Sequence, residues 1–360
     1  METLNINLLD LKIGSILAED IFSNTQFPIA YKEMRVSREV LLVLKAFNIN
    51  KVLIVKPALD NSMDKTSESL EVNEKKEDSL SFEKRFITSV QKFKVEFLNW
   101  ESGSKVDLIK VRDVIMPLIT EMITDRTKIF MLNDYADSKE YIYYHSVSVA
   151  LIAAVIADKM GYNRGDVIQV ATAAILADSG MAKISKRIRF KPGALTENEF
   201  KEVRDHPNYS LKMVKDLQLL KSEMKLAIIQ HHERLDGSGY PNSTKGEQIS
   251  KIAHIIAIAD MFHAMTSERL YKKKESVFKA VEIIRESSFG KLYIEVVQAL
   301  LACVEGLPLG TVVELSNSLI ATIVFTNKNM VTRPVVKVEH SDELIDLNQK
   351  RNVYIHRIYM

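Results

Sequence analysis

The sequence predicts a mainly α-helical protein, a helical bundle with a small α/β module at its N-terminus and a small β subdomain at its C-terminus. Three observations lead to this fold class. Apolar residues recur at helical spacing over most of residues 82–305. Residues 1–57 alternate between short strand-like and helix-like runs. From residue 306 the pattern changes to short β-rich runs that are separated by turn signals.

The composition limits the class of protein. The chain has 360 residues, enough for two or three domains, and its formal net charge of +2 gives no sign of a nucleic-acid partner. The single cysteine, Cys303, excludes a disulfide framework and favours a reducing compartment. The N-terminus lacks the pattern of a signal peptide, and the apolar run at 147–157 is too short for a membrane span. We therefore expect a cytoplasmic protein with no membrane span.

The predicted domains follow one another along the chain. Residues 1–57 predict a strand, a helix and a strand. Residues 58–81 are charged, serine-rich and free of aromatic residues, a composition typical of a flexible linker. Residues 82–133 predict two amphipathic connecting helices, which could pair in a homodimer. The main helical domain occupies residues 134–305, and the β subdomain occupies residues 306–360.

Within the main domain, local patterns predict the individual elements. Residues 147–157 and 166–178 are apolar nearly all round, which indicates central core helices. Residues 196–199 (Thr-Glu-Asn-Glu) form a capping box that begins another helix. Glycine and proline cluster at 236–246, which predicts a loop, and the apolar periodicity of residues 249–267 predicts a further buried helix.

Histidines and two aspartates concentrate in this helical domain. Asp178 and Asp260 interrupt apolar runs, and a buried carboxylate is costly unless it is paired or bound to a metal. Imidazole with carboxylate suits zinc, iron or manganese, and helical bundles build dinuclear centres from ligands on several helices. A single buried histidine is more often a core residue than a ligand, so the spacing by itself favours a metal site only mildly. The histidines are His145, His206, His231, His232, His254 and His263.

Four segments, in this order and spacing, resemble the signature of the HD-GYP family of the HD superfamily. They are His145-Ser146, then KPGALTENEF at 191–200 with His206-Pro207, then HHERLDGSGYP at 231–241, then ADMFHAMTSERLYK at 259–272. The C-terminal segment from residue 307 is similar to the tail often fused to this domain. The N-terminal module looks like one that accompanies the family.

The resemblance implies an HD-superfamily helical bundle that hydrolyses cyclic di-GMP to pGpG or GMP at one or two divalent ions of iron, manganese or zinc. Asp178 is the implied bridging and catalytic carboxylate. Partner GGDEF-domain proteins are implied because the family's GYP loop is a docking surface. The implied metal ligands are His145, Asp178, His206, His231, His232 and Asp260. The implied substrate-binding residues are Asp236, Gly237, Gly239, Tyr240, Arg269 and Lys272.

Three positions depart from the family pattern. Ala177 stands where the family has the histidine of its HD pair, and Met181 stands where it has a lysine. Lys183, two residues further on, is a candidate for the missing catalytic cation. His263 replaces a usual aspartate, and it either supplies the missing ligand or acts as a partner of Asp260.

These departures keep several functions open. Loss of a residue that supports a metal typically lowers affinity or activity about 10–100-fold, so Ala177 predicts weak or absent turnover. Tyr141 occupies the position of the glutamate that trinuclear members use, which predicts no third metal. The candidates are a working phosphodiesterase with an altered site, a non-catalytic cyclic di-GMP receptor or protein-interaction scaffold, and another HD-superfamily phosphohydrolase. The intact GYP loop disfavours the last of these.

Overall fold

The structure is a computed structural model that divides the chain into two compact units, Met1–Asp78 and Ser79–Met360. Of the predicted linker at 58–81, only Ser81 lies within the described residues. The described ranges are 3–8, 11–12, 14–22, 28–36, 40–41, 44, 49, 51–55, 81–135, 140–268, 274–304, 307–327 and 330–359.

The first unit contains a two-stranded antiparallel sheet. Strand β1 (Thr3–Asn7) pairs with β2 (Lys51–Val55), which confirms the strand predicted at the end of the module. The sequence did not predict β1. The segment around Leu17, which was predicted to be a strand, contributes only isolated bridges, one of them to Ile54. Leu17 is nevertheless fully buried in the small apolar core of this unit.

The second unit is mainly helical, which confirms the predicted fold class. Its helices are α1 (Phe82–Glu101), α2 (Leu108–Thr124), α3 (Tyr141–Lys159), α4 (Arg164–Ala177), α5 (Lys186–Arg189), α6 (Glu197–Val203), α7 (His206–Val214), α8 (Ser222–Gln230), α9 (Lys251–Thr266), α10 (Val277–Ser287) and α11 (Ile294–Val304). Short 3-10 turns occupy Arg126–Phe130, Ser179–Lys183 and Gly246–Gln248.

Helix α3 forms the centre of the bundle. It is apolar nearly all round, as predicted, and α1, α2, α4, α9 and α11 pack against it. By length and composition α3 could cross a membrane, yet 83% of its most apolar window is buried inside the fold, as in a core helix. The two predicted connecting helices are α1 and α2, and α1 buries Phe86, Phe93, Phe97 and Trp100 on one face.

The C-terminal strands form an antiparallel sheet in the order β6-β5-β4-β3-β7, as expected for the predicted β subdomain. Its inward-facing residues share a core with Phe278 of α10. A buried ion pair also joins α10 to the sheet, because Arg333 donates to the carboxylate of Glu282 at 2.5 and 2.6 Å. The strands are β3 (Val312–Leu315), β4 (Ile320–Phe325), β5 (Val335–Val338), β6 (Leu344–Asp346) and β7 (Ile355–Tyr359).

Candidate metal centre

The six predicted metal ligands converge from five places in the bundle. His145 lies in the second turn of α3, and Asp178 follows the last residue of α4. His206 is the first residue of α7, and Asp260 lies on α9. The adjacent histidines His231 and His232 follow the end of α8 rather than lying within a helix.

One ligand group surrounds the Oδ1 oxygen of Asp178. His206 Nε2 lies 3.0 Å from this oxygen and His231 Nε2 lies 3.5 Å from it. With His232, these residues offer four ligand atoms that all lie within 4.8 Å of one another. One carboxylate and three imidazoles fit a transition-metal or zinc ion. This group is therefore a complete candidate metal site.

The rings of His206 and His231 are oriented by backbone carbonyls. His206 Nδ1 lies 2.8 Å from the carbonyl oxygen of Val203, and His231 Nδ1 lies 2.7 Å from that of Ile228. A carbonyl only accepts, so each Nδ1 carries a proton, and Nε2 is the nitrogen that faces Asp178 and would coordinate a metal ion. This is the tautomer that a metal requires.

A second ligand group faces the other oxygen of Asp178. His145 Nε2 lies 3.5 Å from Asp178 Oδ2 and 2.9 Å from Asp260 Oδ1. The Nδ1 atom of His232 lies 3.9 Å from Asp260 Oδ2. The two oxygens of Asp178 thus face two groups of ligands, as expected of a bridging carboxylate. Ala177, whose side chain is a methyl group, gives this second group no ligand atom.

The electrostatics favour the ionisation states that bind a metal. Burial acts to raise the pKa of Asp178, but hydrogen bonds and positive charge from His206 and His231 outweigh it and hold this pKa well below its usual value. Burial likewise opposes ionisation of Asp260, and His145 reverses the balance and lowers its pKa. Burial, followed by the charge of His231, lowers the pKa of His232. Charged carboxylates and a neutral imidazole are the forms that coordinate metals.

The turn after α4 fits closely against α7. Gly180 donates from its backbone N–H to Ser210 Oγ at 2.8 Å, and Ser210 donates to the carbonyl of Ala177 at 2.6 Å. A Cβ atom at Gly180 would lie 2.1 Å from the carbonyl oxygen of His206. Asp178 and His206 are therefore held together by direct backbone packing. Ser210 was not among the predicted site residues, because the sequence pattern gives no signal for it.

The predicted loop at 236–246 closes over the histidines. Tyr240 stacks on the ring of His232 with 4.5 Å between the centroids, and Gly239 packs directly against the backbone of Glu233. Burial raises the pKa of the Tyr240 hydroxyl, and the negative charges of Asp260 and Asp178 raise it further. Asp236 accepts hydrogen bonds from Ser238 at 2.9 and 2.6 Å and so shapes the turn.

Glu233 holds this loop in place and was not singled out from the sequence. Its fully buried carboxylate accepts from the backbone N–H groups of Asn242 at 2.7 Å and Thr244 at 3.1 Å. At the rim, the guanidinium of Arg204 lies 5.2 Å from the centre of the Tyr240 ring. The available signal for Glu233 was its position, directly after the predicted ligands His231 and His232 and just before the loop. Arg204 could not be found from spacing.

Some predicted residues do not join the cluster. Lys183 ends the turn Ser179–Lys183, and its ammonium donates to the carbonyl of Trp100 at 2.6 Å. That bond directs Lys183 toward α1, so the geometry gives no support to its predicted catalytic role. Arg269 and Lys272 lie outside the described residues. Gly237, in the predicted substrate loop, adopts a left-handed φ of 79° beside Lys245.

Comparisons with known proteins agree with this arrangement. The family model described as "HD domain" matches residues 130–292. A cyclic di-GMP phosphodiesterase of Pseudomonas aeruginosa is 29% identical over 67% of this chain and 58% of its own length. A 3'3'-cGAMP-specific phosphodiesterase of Vibrio cholerae is 36% identical over 41% of this chain and 32% of its own length. The chain thus spans less than two thirds of these relatives.

A solved structure supports the fold over most of the chain. An HDG"Y"P protein from Bdellovibrio bacteriovorus is 14% identical, with a TM-score of 0.52, and the match covers 85% of this chain and 100% of that one. At this identity the likeness concerns the fold alone. The family match shows that residues 130–292 of this chain are an HD domain, and the two relatives named above are cyclic-dinucleotide phosphodiesterases.

Proposed function

We propose that this chain binds cyclic di-GMP at the Asp178 cluster and hydrolyses it to pGpG or GMP with divalent metal ions, slowly because Ala177 leaves one ion short of a ligand. The observation that carries the proposal is Asp178, whose two oxygens face two ligand groups at distances from 3.0 to 3.5 Å. Two ions held in this way are typical of enzymes that cleave phosphodiesters.

The six candidate ligands fall into two sets, one for each ion. Asp178, His206, His231 and His232 would hold one ion, and His145, Asp178 and Asp260 would hold the other. When bound, such ions lower the pKa of water and stabilise charge on phosphoryl oxygens. The donor set suits iron, manganese or zinc. Arg204 at the rim offers an anionic ligand a cation.

The predicted slowness follows from Ala177. Its methyl group is 3% exposed at the end of α4, beside the bridging carboxylate, and it has no lone pair. Losing a group that supports a metal costs about 10–100-fold in affinity or activity, and losing a direct ligand should cost at least as much. The second ion is therefore the one expected to bind weakly.

Hydrolysis by the wild type beside Ala177→His tests the proposal. We expect slow product formation by the wild type, and at least about a 10-fold faster rate in Ala177→His, with more metal bound per chain. Asp178→Asn, in either background, should abolish turnover. Both cyclic di-GMP and 3'3'-cGAMP are assayed, because relatives named for each match this chain. Wild-type turnover at an ordinary enzymatic rate, about 1–1000 per second, would refute the proposed defect.

A non-catalytic receptor is the second candidate. It is favoured because position 177 offers no metal ligand, while the loop that carries Tyr240 still closes over His232. Calorimetry separates the two. Cyclic di-GMP that binds to both proteins, with no product from either the wild type or Ala177→His, would favour the receptor. A protein-interaction scaffold would instead bind no dinucleotide.

We also propose that the protein is cytoplasmic and that GGDEF-domain proteins dock at the loop that carries Tyr240. A homodimer through residues 82–133 is supported by exposed apolar side chains on α1 and α2, namely Val95, Leu98 and Ile109. Light scattering that finds a monomer at micromolar concentration would contradict the dimer.

A further inference from the structure

Arg204 lies at the mouth of the candidate metal centre, between two aromatic rings. Its guanidinium carbon is 4.6 Å from the centre of the Phe200 ring and 5.2 Å from the centre of the Tyr240 ring. Tyr240 in turn stacks on the candidate ligand His232, with 4.5 Å between the ring centroids. A continuous row of contacts therefore runs from Phe200, whose side chain is 47% exposed, to the ligand cluster.

The connection between α6 and α7 explains how this row forms. Phe200 and Arg204 are four residues apart, so their side chains project from the same side of the helix end. The backbone N–H of Arg204 donates to the carbonyl of Phe200 at 3.0 Å. His206, the first residue of α7, follows two residues later. The turn that brings His206 to the metal centre thus also brings Arg204 to its rim.

The charge of Arg204 is not neutralised by a neighbouring group. The side chain is exposed, and among the residues that the structure describes no carboxylate or carbonyl accepts a hydrogen bond from it. The adjacent carboxylate of Asp205 accepts from Asn208 instead, at 2.7 Å. A guanidinium that lies against aromatic rings keeps the N–H donors of its planar fork available. Arg204 therefore offers a cation, held by two rings, to an anion that approaches the metal centre.

Two other cations of this region are engaged with the backbone. Lys183 donates to the carbonyl of Trp100 at 2.6 Å, and Arg234 donates to the carbonyl of Glu233 at 2.8 Å. Neither bond requires an anionic ligand, and each uses a donor that a ligand would otherwise find. Arg204 differs from both because aromatic rings, rather than hydrogen-bond acceptors, hold it in place.

We propose that Arg204 is a substrate-binding residue that contacts the phosphate of the cyclic dinucleotide that is not at the metal ions. A cyclic dinucleotide contains two phosphodiesters, and only one of them can occupy the metal centre at a time. The second belongs to the same small ring, so it stays near the mouth of the site. A guanidinium fork matches the free oxygens of a phosphodiester. The inference rests on the proposed function and deepens it, because it assigns a residue to the second phosphate.

The two rings give this contact its geometry. A free arginine side chain has many rotamers and loses that freedom when it binds a ligand. Cation–π contacts with Phe200 and Tyr240 restrict Arg204 before the ligand arrives, which lowers the entropic cost of binding. Phe200→Leu, which keeps the charge of Arg204, should therefore weaken binding by less than loss of the guanidinium does.

Calorimetry with the zinc-loaded full chain tests the role of Arg204. Arg204→Gln should bind cyclic di-GMP about 5–30-fold more weakly, because one charge-assisted contact at an exposed position is lost. The dependence of the affinity on salt should weaken as well. Arg204→Lys keeps the charge, so it should retain the salt dependence and lose less affinity. Where turnover is measurable, Arg204→Gln should raise KM and leave kcat unchanged.

Lys212→Gln is the matched control for the loss of one exposed cation. Lys212 lies over the ring of Tyr209, with its ammonium 5.4 Å from the ring centre, six residues along α7 from His206. This variant should bind cyclic di-GMP as the wild type does. Zinc affinity should be unchanged in every variant, because none of the replaced residues is a candidate ligand. Weaker zinc binding in Arg204→Gln would overturn the inference, since the residue would then act through His206.

Two comparisons separate a phosphate contact from other roles of Arg204. A phosphate contact predicts equal fold-losses for cyclic di-GMP and cyclic di-AMP in Arg204→Gln, whereas contact with a guanine edge predicts a loss for cyclic di-GMP alone. A residue that only clamps the loop predicts equal losses in Phe200→Leu and Arg204→Gln, with the salt dependence of the wild type in both. Either of these last two results would overturn the inference.

Failure of the inference can be told apart from failure of the proposed function. A wild type that binds cyclic di-GMP, with the same affinity and salt dependence in Arg204→Gln, keeps the function and refutes the role of Arg204. A zinc-loaded wild type that binds no cyclic dinucleotide refutes the proposed function itself, and the role of Arg204 falls with it.

Discussion

Replacing Gly180 by alanine tests whether backbone packing holds the metal ligands in place. The new Cβ atom would lie 2.1 Å from the carbonyl oxygen of His206 and 2.6 Å from the backbone nitrogen of Ser210. Real Cβ contacts are essentially never below 3.0 Å, so the turn and α7 must separate by about 0.9 Å. Both obstacles are backbone atoms, which cannot turn aside as a flexible side chain can.

This displacement should affect metal binding more than stability. Forcing a methyl group into a packed site costs about 1–3 kcal/mol, which a domain of this size can survive. Metal–ligand distances tolerate only about 0.2 Å, and His206 is the first residue of the helix that must move. We therefore expect Gly180→Ala to stay folded and to bind the tighter ion at least about 10-fold more weakly.

The assay is a zinc titration combined with thermal unfolding of the metal-free protein. Gly165→Ala, on α4, is the matched control, because its Cβ atom would meet only Asn163 Oδ1 at 3.3 Å. It should leave zinc affinity unchanged, because it crowds only the N-cap residue of α4, at the opposite end of that helix from Asp178. If Gly180→Ala binds zinc as tightly as the wild type, close packing of Gly180 on α7 does not position His206.

The convergence of the six candidate ligands was predictable because the motif records both residue types and their order along the chain. In apolar surroundings, six polar residues have few partners for their charges and hydrogen bonds other than one another. The structure brings the six together in two groups that share Asp178. Helical periodicity likewise predicted α1, α2, α3, α4 and α9. Their apolar residues recur at the spacing of one helix face, a pattern that a strand could not bury on one side.

Side-chain directions were not predictable from the same patterns. Lys183 was expected near the site because it follows Asp178, but the chain leaves α4 in a 3-10 turn that directs this ammonium to the carbonyl of Trp100. His263 shares a helix with Asp260, so helical spacing suggested a contact between them. Its Nδ1 atom lies 2.9 Å from the Nδ1 atom of His145, 118 residues away in the sequence, and no local pattern encodes that packing.

Two further predictions concern stability. Arg333→Leu leaves Glu282 buried without its cation and should lower the free energy of unfolding by about 3–5 kcal/mol, measured by chemical denaturation. The double variant, Arg333→Leu with Glu282→Leu, should recover much of this lost stability. An equal loss in the single and the double variant would contradict the explanation. For His254, burial and then the charge of Arg234 lower the pKa from 6.5 to about 4. Stability should therefore be complete above pH 6.5 and decline as the pH falls toward 4, and His254→Phe should weaken that decline.

The direction of this pH effect follows from which state of the protein, folded or unfolded, binds a proton at His254 more readily. The unfolded chain protonates His254 near pH 6.5, whereas the folded protein resists until about pH 4, so acid favours the unfolded state by roughly 3 kcal/mol over this window. Phenylalanine preserves the stacking on Tyr293 and takes up no proton. The contributions of Asp178 and Asp260 are lost only at more acidic pH, because the pKa values of these carboxyls are lowered. The pKa of His232 is also lowered, but His232 is present in both proteins, so the difference between them isolates the effect of His254. Unfolding of the metal-free wild type and His254→Phe is compared at pH 7.5 and 4.5, and equal losses in the two proteins would show that His254 is not the group responsible.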